Sequence, residues 1–260
     1  MEAYNNRLTI YERPAEILHR LIQFDTTNPP GNEGPCIAFI NDLLSEFQID
    51  TTILSRTPER PNLIARLKSG QQKVSPLLLY GHVDVVTTKN QDWAHPPFEG
   101  RLHDGYIWGR GALDMKGGIA MMLSAFLRAK IEGLDLPGDI VLAIVSDEET
   151  GGDFGARYLV EKHSDTFDGI RYAIGEFGGF SLHIANRRFY PIMVGEKQRC
   201  WLKATIRGPG GHGAMPVRGG AMASLSKFLQ IIHGADERIP VEALDFGAKV
   251  IYELLRQYKG

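Results

Sequence analysis

The sequence predicts an α/β fold: a central, mostly parallel sheet flanked by helices. Three observations predict it. The short apolar runs Leu77–Tyr80, Ile140–Val145 and Tyr172–Ile174 read as buried strands. Segments with apolar residues at helical spacing separate them, the alternation that builds βαβ units. A glycine, histidine or acid also stands within two residues of the end of each run, as expected where a site lies beyond the carboxyl ends of strands in an open sheet.

The elements follow in order. A first helix is predicted over Pro14–Phe24, with Ile17, Leu18, Leu21 and Ile22 on its inner face, and a second over Pro35–Phe47. A strand follows near Thr51–Leu54, and the run Leu77–Tyr80 then ends at Gly81. After the glycine-rich stretch Gly109–Gly118, the residues Ile119, Met122, Leu123, Phe126 and Leu127 recur at helical spacing. Ile140–Val145 is the next strand, Phe154–Lys162 the helix after it, and Tyr172–Ile174 a further short strand. Beyond a break near Gly195, Cys200–Ile206 alternates as a strand and Ala221–Ile232 reads as a helix. The last segment, Val241–Tyr258, is amphipathic through Leu244, Val250, Ile251, Leu254 and Leu255. It needs a partner surface, which the sequence reading assigns to a missing portion of the protein.

The chemistry gathers at the strand ends. In Gly81-His82-Val83-Asp84, residues two apart on an extended backbone share a face. His82 can offer one ring nitrogen to a metal while Asp84 holds the other, which fixes the tautomer and raises ligand basicity. Such a pair is also a common structural contact. Asp114 sits in a glycine-rich turn just before a helix, where the dipole favours a carboxylate, and alone it reads as a cap. The Gly-Lys-Ser/Thr of a phosphate loop is missing there. In Asp147-Glu148-Glu149, three consecutive carboxylates repel one another and resist desolvation, a cost that a cation offsets. Glu148 and Glu149 point in different directions, so one can bind metal while the other moves a proton; alone they read as a solvated acidic loop. Glu176 follows the next strand. One imidazole with several carboxylates at successive strand ends suits a hard-to-borderline divalent ion, and two ions sharing Asp114 would be accommodated.

With these residues in view, the sequence resembles the M20 family of zinc peptidases and deacylases, which includes acetylornithine deacetylase, succinyl-diaminopimelate desuccinylase, aminoacylase and glutamate carboxypeptidases. The resemblance runs from Phe24-Asp25-Thr26-Thr27-Asn28-Pro29-Pro30-Gly31 to Gly210-Gly211-His212-Gly213-Ala214-Met215-Pro216. It includes Pro61-Asn62-Leu63-Ile64-Ala65 and Trp93-Ala94-His95-Pro96-Pro97-Phe98. It implies a zinc-peptidase-like catalytic domain followed by an α+β lid that mediates dimerisation. It also implies two zinc ions per subunit, with cobalt as a substitute, and cleavage of an amide in a peptide or N-acyl amino acid. Asp114 would bridge the ions, His82 and Glu176 would complete one, and Glu149 would ligate the other. Glu148 would be the general base activating the bridging water, and Asp84 would orient His82. His212 would be the lid histidine that stabilises the oxyanion, commonly in the partner subunit; by itself, in its glycine-framed turn, it reads as a polar loop residue. Glu176, rather than Asp, resembles the deacylase and carboxypeptidase branches.

On the same resemblance, residues 1–195 form the N-terminal part of the catalytic metal-binding domain and 196–260 a partial lid with a split βαβ plan. The family pattern also contains a further zinc-ligating histidine downstream. His19, His95, His103, His163, His183 and His233 lie in no matching motif and read as structural or surface residues. The chain is therefore expected to be a fragment of a longer enzyme. The alternative is a truncated, catalytically impaired product that binds metal or substrate without turnover. The carboxylate-binding arginine of the lid is unassigned among Arg187, Arg188, Arg199, Arg207 and Arg218.

Composition excludes several classes. A net charge of -2 over 260 residues gives no footprint for nucleic acid or an anionic membrane. Cys36 and Cys200 are the only cysteines, too few for a disulfide framework or a cysteine metal site, which fits a reducing, cytoplasmic setting. Met1–Pro14 lacks an apolar signal core, and no run approaches the roughly 18 apolar residues of a membrane span.

Overall fold

The computed structural model describes residues 10–176, 182–185, 187–189, 205, 207 and 237–259. Helix α1 (Pro14–Ile22) starts on a proline, whose fixed φ and missing N–H suit the first helical turn, and it buries Ile17, Leu18, Leu21 and Ile22 as predicted. Helix α2 (Gly34–Glu46) follows. Strands β1 (Thr51–Ser55) and β2 (Pro61–Leu67) pair antiparallel, and β2 pairs antiparallel with β6 (Ile140–Val145). Strand β6 pairs in parallel with β3 (Leu77–His82), as β3 does with β7 (Tyr172–Ile174). The sheet order is β1-β2-β6-β3-β7. The α/β class holds; the sheet is mixed, its parallel half being β6-β3-β7 and its antiparallel edge the β1–β2 pair that the apolar runs alone did not predict.

Every residue of β6 is buried, which explains its unbroken apolar run: a central strand covered on both faces has no polar side to alternate with. The main core lies between this sheet and the helices. It joins Leu63, Leu79, Leu142 and Ile144 of the strands to Ile119, Leu123 and Phe126 of α3 (Lys116–Ile131) and to the inner face of α1. Helix α4 (Ala156–Lys162) contributes Leu159 to a smaller cluster with Ile64, Val141 and Val145 on the other face. A second, small sheet joins β4 (Arg101–His103), β5 (Tyr106–Trp108) and β10 (Arg238–Pro240).

The chain forms two compact units, one of Met1–Phe177 with Ala235–Gly260 and one of Gly178–Gly234. In the second, the described residues include the antiparallel pair β8 (Leu182–Ile184) and β9 (Arg187–Phe189). The sequence reading placed all of 196–260 in a lid; the structure instead returns 235–260 to the first unit. Strand β10 pairs with β5, and helix α5 (Val241–Gln257) buries Leu244, Ala248, Tyr252 and Leu255. The Arg128 guanidinium lies 4.0 Å from the Tyr252 ring centroid, and the Tyr252 hydroxyl donates to Glu132. The partner surface that this amphipathic helix needs is thus α3 of its own chain. The break near Gly195, the Cys200–Ile206 strand and the Ala221–Ile232 helix lie outside the described residues, apart from the isolated position 205. Among the described residues, no helix is long and apolar enough to cross a membrane.

Candidate metal centre

The carboxyl ends of β3, β6 and β7 meet at one place. His82, the last residue of β3, is fully buried. Its Nε2 lies 3.0 Å from Asp114 Oδ1, 3.6 Å from Glu176 Oε2 and 3.9 Å from Glu148 Oε2. Ligand atoms of His82, Asp114 and Glu176 all lie within 4.8 Å of one another, and so do those of His82, Glu148 and Glu149. Four of the predicted site residues, Asp114, Glu148, Glu149 and Glu176, therefore converge on the imidazole of a fifth, His82. His212 lies outside the described residues.

Asp84 does more than the sequence pattern indicated. The Nδ1 of His82 is 3.0 Å from the Asp84 backbone carbonyl and 3.4 Å from its carboxylate, so a proton on Nδ1 has an acceptor and Nε2 faces the acids. The Asp84 carboxylate also accepts the backbone N–H groups of Glu148 at 3.0 Å and Glu149 at 3.1 Å, and the Asn28 amide at 2.8 Å. It fixes the acidic turn as well as the histidine. Burial would raise its pKa, but the hydrogen bonds from His82, Asn28 and the turn lower it.

The three consecutive acids divide their work. Asp147, with φ of 69°, has its carboxylate engaged by other groups. It accepts the Phe154 N–H at 3.0 Å and pairs with the Arg60 guanidinium at 3.1 Å. Arg60 is itself held by buried Glu33 at 2.6 Å. Asn62, fully buried at the start of β2, receives the Ser146 N–H at 3.0 Å and donates to the carbonyls of Leu54 and Phe154 at 3.0 and 2.9 Å. Gly155 is required here, since a Cβ would sit 1.8 Å from the Ser146 carbonyl oxygen. Glu148 and Glu149 are thereby left to face the imidazole.

Electrostatically the cluster is strained without a cation. Burial pushes the Glu149 carboxyl up to about 8, helped by the nearby Asp114 charge, and burial also raises Glu148. Burial would lower the pKa of His82, but hydrogen bonds to Asp114, Asp84 and Glu176 outweigh it and raise it. The Oε1 of Glu149 is buried without a hydrogen-bond partner. One imidazole nitrogen, several carboxylate oxygens and an orphaned buried acceptor make a donor set that fits zinc or a similar divalent ion.

Asp114 is carried by a glycine-rich turn. Gly111 takes φ of 87° there, and a Cβ on it would meet Val85 at 2.9 Å. The turn is held by Glu237, which arrives from beyond the second unit. Asn28, Arg60, Asn62 and Glu237 are the site-supporting residues that sequence reasoning missed. Asn28 and Asn62 fall within motif stretches already quoted, whereas nothing in the sequence singles out Arg60 or Glu237.

Fold and site together define a class: an α/β protein with a buried histidine among carboxylates, a candidate cation site, at its parallel strand ends. Residues 78–187, which contain His82, Asp84, Asp114, Glu148, Glu149 and Glu176, match Peptidase family M20/M25/M40. It is 30% identical to "Aminoacylase-1" of Sus scrofa over 226 residues, 85% of this chain and 54% of that protein. It is 31% identical to "Succinyl-diaminopimelate desuccinylase" of Paracoccus denitrificans (strain Pd 1222) over 222 residues, 85% of this chain and 55% of that protein. The chain thus spans about half the length of these curated relatives. The fold is similar to that of human carnosine dipeptidase 1, with a TM-score of 0.55 and 21% identity over 67% of this chain and 40% of that one.

Proposed function

We propose that the protein is a metal-dependent hydrolase that cleaves an amide bond in a peptide or N-acyl amino acid. The observation that carries this reading is the convergence of Asp114, Glu176 and Glu148 on the buried Nε2 of His82. His82, Asp114 and Glu176 would hold one zinc, and Glu149 with Asp114 a second. Bound zinc lowers the pKa of water toward neutrality and polarises a carbonyl. Glu148 takes a proton from the attacking water and returns one to the leaving amine, as general acid–base catalysis requires. Burial raises its proton affinity, which suits a group that takes up and hands on a proton. Asp84 holds His82 and the Glu148–Glu149 backbone in register, so the base needs little reorganisation. His212 would stabilise the oxyanion, in an assembly that dimerises through the lid, and a cytoplasmic location accords with the cysteine content.

A second reading, metal or substrate binding without turnover, is favoured by one observation. Among the described residues, the second candidate ligand group is His82, Glu148 and Glu149; with His82 given to the first ion and Glu148 to proton transfer, the second ion is left with Glu149 and the shared Asp114.

The deciding experiment adds zinc or cobalt to the purified chain and follows amide hydrolysis with and without chelator. Turnover that tracks metal occupancy and vanishes in Glu148→Gln supports the hydrolase. Occupancy of both metal positions without turnover on any N-acyl amino acid or dipeptide contradicts it.

A further inference from the structure

We infer that Glu237 is a positioning residue for the cation site, holding Asp114 in place through the turn that carries it. The inference rests on the reading of Asp114 as a metal ligand. The Oε1 of Glu237 accepts the backbone N–H of Leu113 at 2.7 Å and of Asp114 at 3.0 Å. Its Oε2 accepts the N–H of Gly111 at 3.1 Å and the Arg110 guanidinium at 2.7 Å. A carboxylate offers about four lone-pair sites, and all are used. The side chain is only 10% exposed, so these bonds form largely away from water.

Backbone N–H groups before a helix make a nest for an anion. Here the nest precedes α3, and a residue 123 positions away in sequence fills it. Both ends of the clamp are fixed. The Glu237 carbonyl accepts the Gly109 N–H at 3.0 Å, and the adjoining strand β10 pairs with β5. Arg110 reaches Gln91 at 2.9 Å with its other arm and stacks 5.0 Å over the Trp93 ring centroid. Because the Asp114 N–H belongs to the same residue as the ligand carboxylate, loosening this bond moves the ligand.

The test compares zinc affinity, by competition with a chelating dye, in the full chain, in Glu237→Gln and in a control, Arg238→Ala. The control removes the guanidinium of the neighbouring residue, in β10, which stacks on Trp108 of β5. Gln keeps one acceptor oxygen and turns an NH₂ toward donors. Glu237→Gln is expected to weaken zinc binding about 10- to 100-fold, the usual effect of losing an outer partner, and Arg238→Ala to leave it unchanged. Equal losses in both variants, or no loss in Glu237→Gln, overturn the inference. Hydrogen exchange on the metal-free protein gives an independent reading. The Leu113 and Asp114 amides are expected to exchange at least about tenfold faster in Glu237→Gln while amides near Phe126 in α3 hold their rates. Unchanged exchange at Leu113 and Asp114 overturns the inference even if the wild type binds no zinc, a result that would refute only the metal reading. Should Glu237→Gln not fold, Glu237→Asp, which keeps the charge but shortens the arm, is measured in the same way.

Discussion

Replacing Asn62 with alanine tests whether the acidic turn is built by the chain before any metal arrives. The side chain is fully buried and makes three hydrogen bonds, accepting from the Ser146 N–H and donating to the carbonyls of Leu54 and Phe154. Each bond contributes about 1 kcal/mol net, and the Ser146 N–H, itself buried, is left unsatisfied at a further cost of about 1–2 kcal/mol. The expected loss is therefore about 4 kcal/mol, a large share of the roughly 5–15 kcal/mol that stabilises an ordinary domain. Urea denaturation with chelator present measures it as a lower midpoint at unchanged slope. Asn41→Ala, which removes a partly buried bond from Thr51 and a long, exposed one to Asp42, serves as the control and is expected to cost about 1 kcal/mol or less. A loss below about 1 kcal/mol in Asn62→Ala would refute the claim that this amide holds the turn.

Other outcomes follow from the same geometry. Glu148→Gln is expected to lower kcat about 10²- to 10⁴-fold while zinc remains bound, measured by steady-state hydrolysis beside metal analysis. Arg60→Leu strips the partner from Glu33, which is 0% exposed, and is expected to cost about 3–5 kcal/mol in urea denaturation; a cost under about 1 kcal/mol would show that the buried pair contributes little. The pH dependence of the metal-free protein has a defined sign. The Glu149 carboxyl is raised from 4.5 to about 8 in the fold, so its protonated form is stabilised there; that contribution is full below about pH 4.5 and is lost as pH rises toward 8. In chelator, the stability difference between wild type and Glu149→Gln is expected to fall across that window, and a flat difference would contradict the assignment.

The ligands were legible because each stands where an apolar run stops. His82 closes β3, and Glu148 and Glu149 follow β6, strands whose burial is written in runs of aliphatic residues; Glu176 follows the short, more exposed β7, and Asp114 precedes a helix of clear period. The division of labour among the three consecutive acids was not legible. Asp147 looks identical to its neighbours until Arg60, distant in sequence, is seen to pair with it. The antiparallel edge escaped prediction because a strand's direction depends on its partner, and Pro61–Leu67 announces only its burial. Helix α5 shows the same limit. Its amphipathic pattern says that one face is covered, but that α3 covers it depends on how the chain returns after Gly234, which no local pattern encodes.

The central claim is that His82, Asp114 and Glu176 share a cation, and anomalous diffraction at the zinc edge from a zinc-loaded crystal tests it most directly. A peak is expected about 2.0–2.1 Å from His82 Nε2 and within bonding distance of both carboxylates. A zinc-replete crystal with no peak there, or with its only peak elsewhere on the molecule, would contradict it.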